Sequence, residues 1–378
     1  MSTDCRTRAW IEVQAASLRR NLGRIRSAAG PMAPVIPMVK ADAYGLGALD
    51  AVDALRGEDP WGFGVATVSE GRALREHGVP GRIVVFGPLP PGEVADAVEL
   101  DLSPTLSSLS GLERLDEAAT RAGRRIAFHA EVDTGMGRAG FAAGDVALWG
   151  PALHTAHGGS ALRWEGCFTH FHSADEPGGP GMDQQVAAFE QVLRELAPPA
   201  CCVLHATNSA AALRLRSSAP WVTSRPGIYL YGGAAAPDLP APDPVAAVRA
   251  RVVLVREVVG GATVGYGATH RAAGPERWAT LAIGYGDGLP LGLGNRGYAL
   301  IGGQRAPLIG RVSMDLTVAN ISGLGGVEAG DIATLLGCDG EAEILLDEVA
   351  ELAGTISYDV LTGLTARLPR CWIDDDGA

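Results

Sequence analysis

The sequence predicts an α/β chain: an eight-stranded (β/α)8 barrel over residues 1–240, followed by a mostly antiparallel β domain over residues 241–378. Three observations carry this. Short apolar runs alternate with amphipathic segments through the first 240 residues. A proline-rich stretch, AAPDLPAPDP, breaks that rhythm near 235–244. Beyond it, period-two runs punctuated by glycine take over.

The strand candidates of the barrel are 35–40, 62–66, 82–87, 102–106, 126–132, 166–171, 201–206 and 227–231. Between them Leu18, Leu22 and Ile25 follow Ser17, Leu109, Leu112 and Leu115 follow Ser108, and Val186, Phe189, Leu193 and Leu196 follow Asp183. Each series has an N-cap residue and apolar spacings of three or four, as a helix lying on a sheet requires. In the second domain RARVVLVREV, WATLAIGYGDG, GYALIGG and GDIATLLG read as strands and turns, and LDEVAEL and SYDVLTGL as helices.

At 378 residues, 47% hydrophobic and 20% charged, the chain can build a full core. Its net charge of −12 and pI near 5.1 disfavour nucleic acid and anionic membranes as partners. No apolar run is long enough to cross a bilayer, and MSTDCRTRAW does not read as a secretion signal. The six cysteines show no CxxC spacing, so a reduced, cytoplasmic chain without a metal site is expected, with Cys201 and Cys202 as buried thiols.

Among 31 basic residues, 30 are arginine and one is lysine, Lys40. A guanidinium replaces an ammonium wherever a solvated charge suffices, but it cannot serve as a neutral amine nucleophile. The surviving lysine therefore points to covalent chemistry. Active groups of a barrel sit at the C-terminal ends of its strands. There the sequence places Lys40 and Tyr44; Glu131, Asp133 and Arg138; His170 and His172; and His205, Asn208 and Ser209, while Arg225 precedes the last strand and Gly227 and Ile228 begin it. Such a set can hold a phosphate and a carboxylate, and the lysine can condense with an aldehyde cofactor. His172 and His205 read rather as structural hydrogen-bonding groups, and Asp133 as a turn cap. From residues alone the class stays open between an aldolase and a pyridoxal enzyme.

Nine segments resemble one family. MVKADAYGLG (38–47), VDTGMGRAG (132–140), THFHSADE (169–176), HATNSAA (205–211), RPGIYLYG (225–232), VGYGATH (264–270), IGYGDG (283–288), GRVSMD (310–315) and SYDV…RLPR (357–370) are similar, in order, to the motifs of alanine racemases, fold-type III pyridoxal-phosphate enzymes with a TIM barrel. The resemblance implies an isomerase that interconverts L- and D-alanine with pyridoxal 5′-phosphate. Lys40 would carry the cofactor and act as one base, and Tyr266 of the partner subunit as the other, in a head-to-tail homodimer. Tyr44, Asn208, Ser209, Gly227, Ile228 and Tyr358 would bind the cofactor, and Arg225 would face its ring nitrogen. His170 would link Arg225 to Tyr266. Arg138 and Met314 would bind the substrate carboxylate, Tyr285 and Tyr358 would restrict the substrate to a small amino acid, and Asp315 would support the partner-side loop. D-Alanine supply for peptidoglycan would be its role.

The chain departs from the family at Glu131, where many members carry a carbamylated lysine that steadies the carboxylate-binding arginine. Glu131 is expected to supply that negative charge to Arg138 itself. Asp42, Leu46, His270 and Ser313 are further departures that bear on substrate preference. Serine or another small amino acid is the alternative substrate. A basic-amino-acid decarboxylase of the same fold lacks the Tyr266 motif, and a non-catalytic pyridoxal-phosphate-binding protein would lack the β domain.

Overall fold

The computed structural model describes residues 7–30, 33–159, 161–178, 180–215, 221 and 223–374. Six parallel strands follow one another around the first domain: Phe63–Val65, Ile83–Val85, Ser103–Leu106, Ile126–Asp133, Leu162–Phe168 and Val203–His205. Single bridges close the ring, from Thr207 to Ser224, from Ser224 to Val35 and from Met38 to Gly64. The first and last barrel positions are thus short bridged segments rather than full strands. Pro34, Pro37 and Pro226 lie in them, and proline has no N–H to give a ladder.

The segment 227–231, expected as the last strand, is instead a 3₁₀ turn over Ile228–Tyr231, and Ser224 takes the barrel position. Ile228, Tyr229, Leu230 and Tyr231 are all buried. An apolar run buried on every side carries no periodicity that separates strand from turn. The strand expected at 166–171 begins earlier, at Leu162.

Helices Ala15–Ala29, Ala48–Leu55, Val68–Glu76, Val94–Glu99, Leu109–Ala122, Val146–Gly159 and Pro180–Leu196 clothe this barrel. Ser108 caps its helix as expected, accepting from the Gly111 amide, and Thr67 and Glu70 form a reciprocal capping box. Ser17 is not a cap. The first helix starts at Ala15, directly from the strand before it.

That strand, Ala9–Gln14, joins the second domain's sheet. It lies antiparallel to Ala246–Val258 and parallel to Arg370–Ile373. In this nine-stranded sheet Ile332–Asp339 also pairs with Ala246–Val258, which curls it into a closed barrel of its own. Helices Leu346–Ala353 and Ser357–Gly363 cover its approach to the first domain.

One continuous core runs from Met38, Val65 and Val85 of the barrel to Leu300, Val349 and Leu361 of the β domain. A second fills the opposite side of the barrel around Phe128, Trp164 and Phe189. Each fully buried side chain of this size contributes about 1.5–3 kcal/mol. No helix among the described residues is long and apolar enough to cross a membrane. Cys167 is a buried free thiol, whereas Cys201 is exposed and Cys202 half-buried. Cys371 is disulfide-bonded, contrary to the expectation of a wholly reduced chain.

Candidate active site

At the C-terminal ends of the parallel strands lies a cavity of about 150 Å³. It is lined by Lys40, Tyr44, Glu131, Arg138, His170, Asn208, Ser209, Arg225, Gly227, Ile228 and Tyr358. Eleven residues named from the sequence thus converge from six segments of the chain, Tyr358 reaching in from the β domain.

Lys40 opens a turn in which Ala41, Asp42, Ala43 and Tyr44 all have φ between 51° and 57°. Left-handed helical backbone costs an L-residue about 1–2 kcal/mol each, so this turn must be held from outside. Glu70 accepts from the Ala41 amide at 2.8 Å, and Asp42 from the Ala48 amide at 2.7 Å. The turn delivers the Tyr44 ring into the cavity wall, stacked on Tyr231 at 4.8 Å, while Lys40 stays at the strand end. Burial, together with the positive charge of Arg138, lowers the Lys40 pKa. The amine is thereby brought closer to the neutral form that attacks an aldehyde.

Arg225 is buried beneath the cavity. Its Nη1 donates to Nδ1 of His205 at 2.9 Å and to the His205 carbonyl at 2.6 Å. Its Nη2 donates to the Thr169 carbonyl at 2.8 Å and to Nδ1 of His170 at 3.3 Å. Four of its five donors are therefore used, and among the described residues Nε–H has no partner. Burial pulls the guanidinium down to about 9, against the attraction of Glu131, so it remains a cation and a donor at neutral pH. His170 is pushed down to about 3 by burial and by the charge of Arg225. It is a neutral imidazole that accepts at Nδ1 and carries its proton on Nε2.

On the far side of the cavity the Gly227 amide donates to the Ser209 hydroxyl at 3.1 Å. A Cβ at Gly227 would lie 2.0 Å from the Tyr44 phenol oxygen. Only glycine leaves the hydroxyl of Tyr44, that of Ser209 and the backbone of 227–228 grouped about one space. Burial raises the pKa of Tyr44 and keeps it a donor. A cluster of hydroxyls and amides suits a phosphate dianion. Asn208 caps the next helix, its Oδ1 accepting from the Ala211 amide at 3.0 Å, as well as lining the cavity.

Glu131 is buried, and its Oε2 accepts from Ser107 at 3.4 Å. Among the described residues Glu131 makes no ion pair, and Arg138 acts on it through space. Burial raises its pKa, and Arg225 and then Arg138 oppose that shift through space. Asp133 caps the TGMG turn, accepting from the amides of Gly135 and Gly137.

Tyr266, Tyr285, Met314 and Asp315 do not line the cavity. They form a separate set of β-domain loops. The Tyr285 and Gly286 amides donate to the carbonyls of Ser313 and Met314 at 2.9 and 2.8 Å. Arg367 binds Asp315 at 2.6 Å and approaches Asp287 at 3.3 Å. Tyr266 is 70% exposed, Met314 52% and Tyr285 41%.

This arrangement has known counterparts. The chain matches the family profile of the alanine racemase N-terminal domain over residues 13–235 and that of the C-terminal domain over 245–372. The chain belongs to the alanine racemase family. It is 36% identical to the alanine racemase of Carboxydothermus hydrogenoformans, the match covering 96% of this chain and 99% of that one. With the alanine racemase of Symbiobacterium thermophilum the identity is 37%, over 98% of both chains. The structure superposes on the alanine racemase of Streptomyces coelicolor with a TM-score of 0.91 at 32% identity, covering 99% of this chain and 100% of that one. For the enzyme of Bacillus anthracis, described with bound L-Ala-P, the values are 0.87 and 30%, with coverage of 98% and 96%.

Sequence reasoning did not find Met38, Phe86 or Phe168, which also line the cavity. Apolar residues at barrel positions carry no signal that separates wall from core. Gln185, which donates to the His170 carbonyl at 2.9 Å, was likewise missed inside its helix.

Proposed function

We propose that this chain interconverts L- and D-alanine using pyridoxal 5′-phosphate, as a head-to-tail homodimer in the cytoplasm, supplying D-alanine for peptidoglycan. The observation that carries the reading is the grouping of Lys40, Arg138, His170, Arg225 and the Tyr44–Ser209–Gly227 cradle around one cavity, while Tyr266 stands exposed outside its lining.

The cavity fits the cofactor by its donor set. Tyr44, Ser209 and the amides of Gly227 and Ile228 would hold the phosphate, and the partnerless Nε–H of Arg225 would face the ring nitrogen. When bound through Lys40, the cofactor supplies an electron sink for the α-carbanion of an amino acid. Arg225 would donate to the ring nitrogen rather than yield it a proton, which would keep that nitrogen unprotonated and the sink weak and so limit side reactions such as transamination. Arg138 binds the substrate carboxylate. Lys40 is the base on one face of the α-carbon, and Tyr266 of the partner subunit the base on the other. One takes the α-proton and the other returns a proton, which inverts the centre. His170, neutral and anchored at Nδ1 by Arg225, presents Nε2–H toward that tyrosine. Exposed Tyr285 and Met314 belong to the same partner-side surface, and Tyr358, at the rim, leaves room for a small side chain.

The test is a racemisation assay on purified protein with L-alanine, L-serine and a panel of other amino acids. Alanine turning over fastest supports the reading. Serine turning over fastest keeps the chemistry and changes the substrate. No inversion of any amino acid overturns it.

A further inference from the structure

The Arg225 contacts continue away from the cavity. Because a guanidinium only donates, Nδ1 of His205 must accept, and the His205 proton lies on Nε2. His205 Nε2 is 2.8 Å from Nδ1 of His129, so His129 accepts in turn and carries its proton on its own Nε2. Among the described residues that atom has no hydrogen-bond partner, and it faces Oε2 of Glu165 at 3.8 Å. Glu165 receives Ser103 Oγ at 3.2 Å, Arg82 Nε at 3.1 Å and Arg163 Nη1 at 2.7 Å. Each link points the same way, from the buried cation Arg225 to the buried anion Glu165.

Two local features exist to make the path. The ladder between Ile126–Asp133 and Leu162–Phe168 shifts register between Phe128 and His129, so Glu165 is the extra residue of a bulge. A Cβ at Gly166, the residue opposite His129, would lie 2.2 Å from the His129 Nδ1. Only a glycine lets the imidazole lie across the barrel axis toward His205.

We propose that Glu165, through His129 and His205, is a positioning residue for Arg225: its charge reinforces the imidazole tautomers that Arg225 sets and so keeps the guanidinium aimed at the cofactor ring nitrogen. The inference rests on the racemase reading for its effect on rate, but not for the tautomers. An anion at the far end strengthens each acceptor in the chain, and aligned hydrogen bonds in a low-dielectric core reinforce one another. A merely structural brace would fill the same space without requiring the charge.

The test combines nitrogen-15 NMR of the histidines in the cofactor-free protein with kinetics and absorbance of the holoenzyme. The expected wild-type result is His129 and His205 both neutral and both protonated at Nε2. An Nδ1-protonated tautomer at either residue overturns the proposal, even if variants fail to fold. In Glu165→Gln, which removes the anion at the end of the chain, kcat should fall roughly tenfold, with KM changed less than twofold. The visible cofactor band should shift, and Glu165→Asp, which keeps the charge, should recover most of the loss. Glu165→Gln with wild-type kcat and spectrum overturns it, as do equal losses in both variants that follow thermal stability. Failure of the wild type to invert any amino acid would instead count against the racemase reading and leave the tautomer result standing.

Discussion

The Nη2 of Arg225 lies 3.3 Å from Nδ1 of His170, and this contact decides which nitrogen of the histidine carries its proton. It also sets a pH dependence. Burial and the neighbouring charge of Arg225 hold His170 down to about 3, below its unfolded value near ~6.5. The unfolded state therefore binds the extra proton as pH falls below ~6.5, and stability must rise with pH across that window. The stability is fully present above ~6.5 and is lost progressively toward 3. Urea unfolding between pH 7 and 5 should show a falling midpoint, and His170→Asn should flatten the slope by up to about 1.4 kcal/mol per pH unit.

Replacing Arg225 by lysine keeps the charge and loses the fork. The carbonyls of Thr169 and His205 and both imidazoles cannot all be reached by one ammonium. Arg225→Lys is expected to destabilise the fold by about 2–4 kcal/mol in urea titrations and to lower kcat by more than tenfold.

Gly227→Ala tests the cofactor cradle. The added methyl would meet the Tyr44 phenol at 2.0 Å, so either the ring or the 227–228 backbone must move. Pyridoxal phosphate affinity, measured by titration of the cofactor-free protein, should weaken by roughly tenfold or more. Unchanged affinity would remove Tyr44 and Gly227 from the phosphate site.

Glu131→Gln removes the negative charge that Arg138 and Arg225 feel through space, while keeping the shape and the Ser107 contact. KM for alanine should rise several-fold, about 0.5–1.5 kcal/mol, with a smaller change in kcat. Wild-type kinetics in Glu131→Ala would sink the idea that this residue steadies the carboxylate-binding arginine.

A shared active site predicts complementation. Lys40→Ala and Tyr266→Phe homodimers should each be inactive. Mixed and allowed to exchange, half of the dimers are hybrids with one intact site, so activity should return to about a quarter of wild type. No recovery, with subunit exchange verified, would place both bases in one chain.

The sequence by itself brought Lys40 and the donors that share its cavity onto one list. A single lysine among arginines, and polar residues at the ends of apolar runs, are local signals that survive without coordinates. It also predicted the two-domain succession, since a change from helical to period-two spacing is visible along the chain. The strand that opens the chain was not visible. Ala9–Gln14 was not among the strands read from the sequence, and only its pairing with Ala246–Val258 and Arg370–Ile373 puts it in the second sheet. The 3₁₀ turn at Ile228–Tyr231 was missed because burial on all sides erases periodicity. Tertiary structure alone decided the left-handed turn after Lys40, which is held by Glu70 from a neighbouring helix. It alone placed His205 between Arg225 and His129. The link from Arg225 through His205 and His129 to Glu165 joins residues 60 positions apart in number, and only the closure of the barrel brings their side chains to one axis.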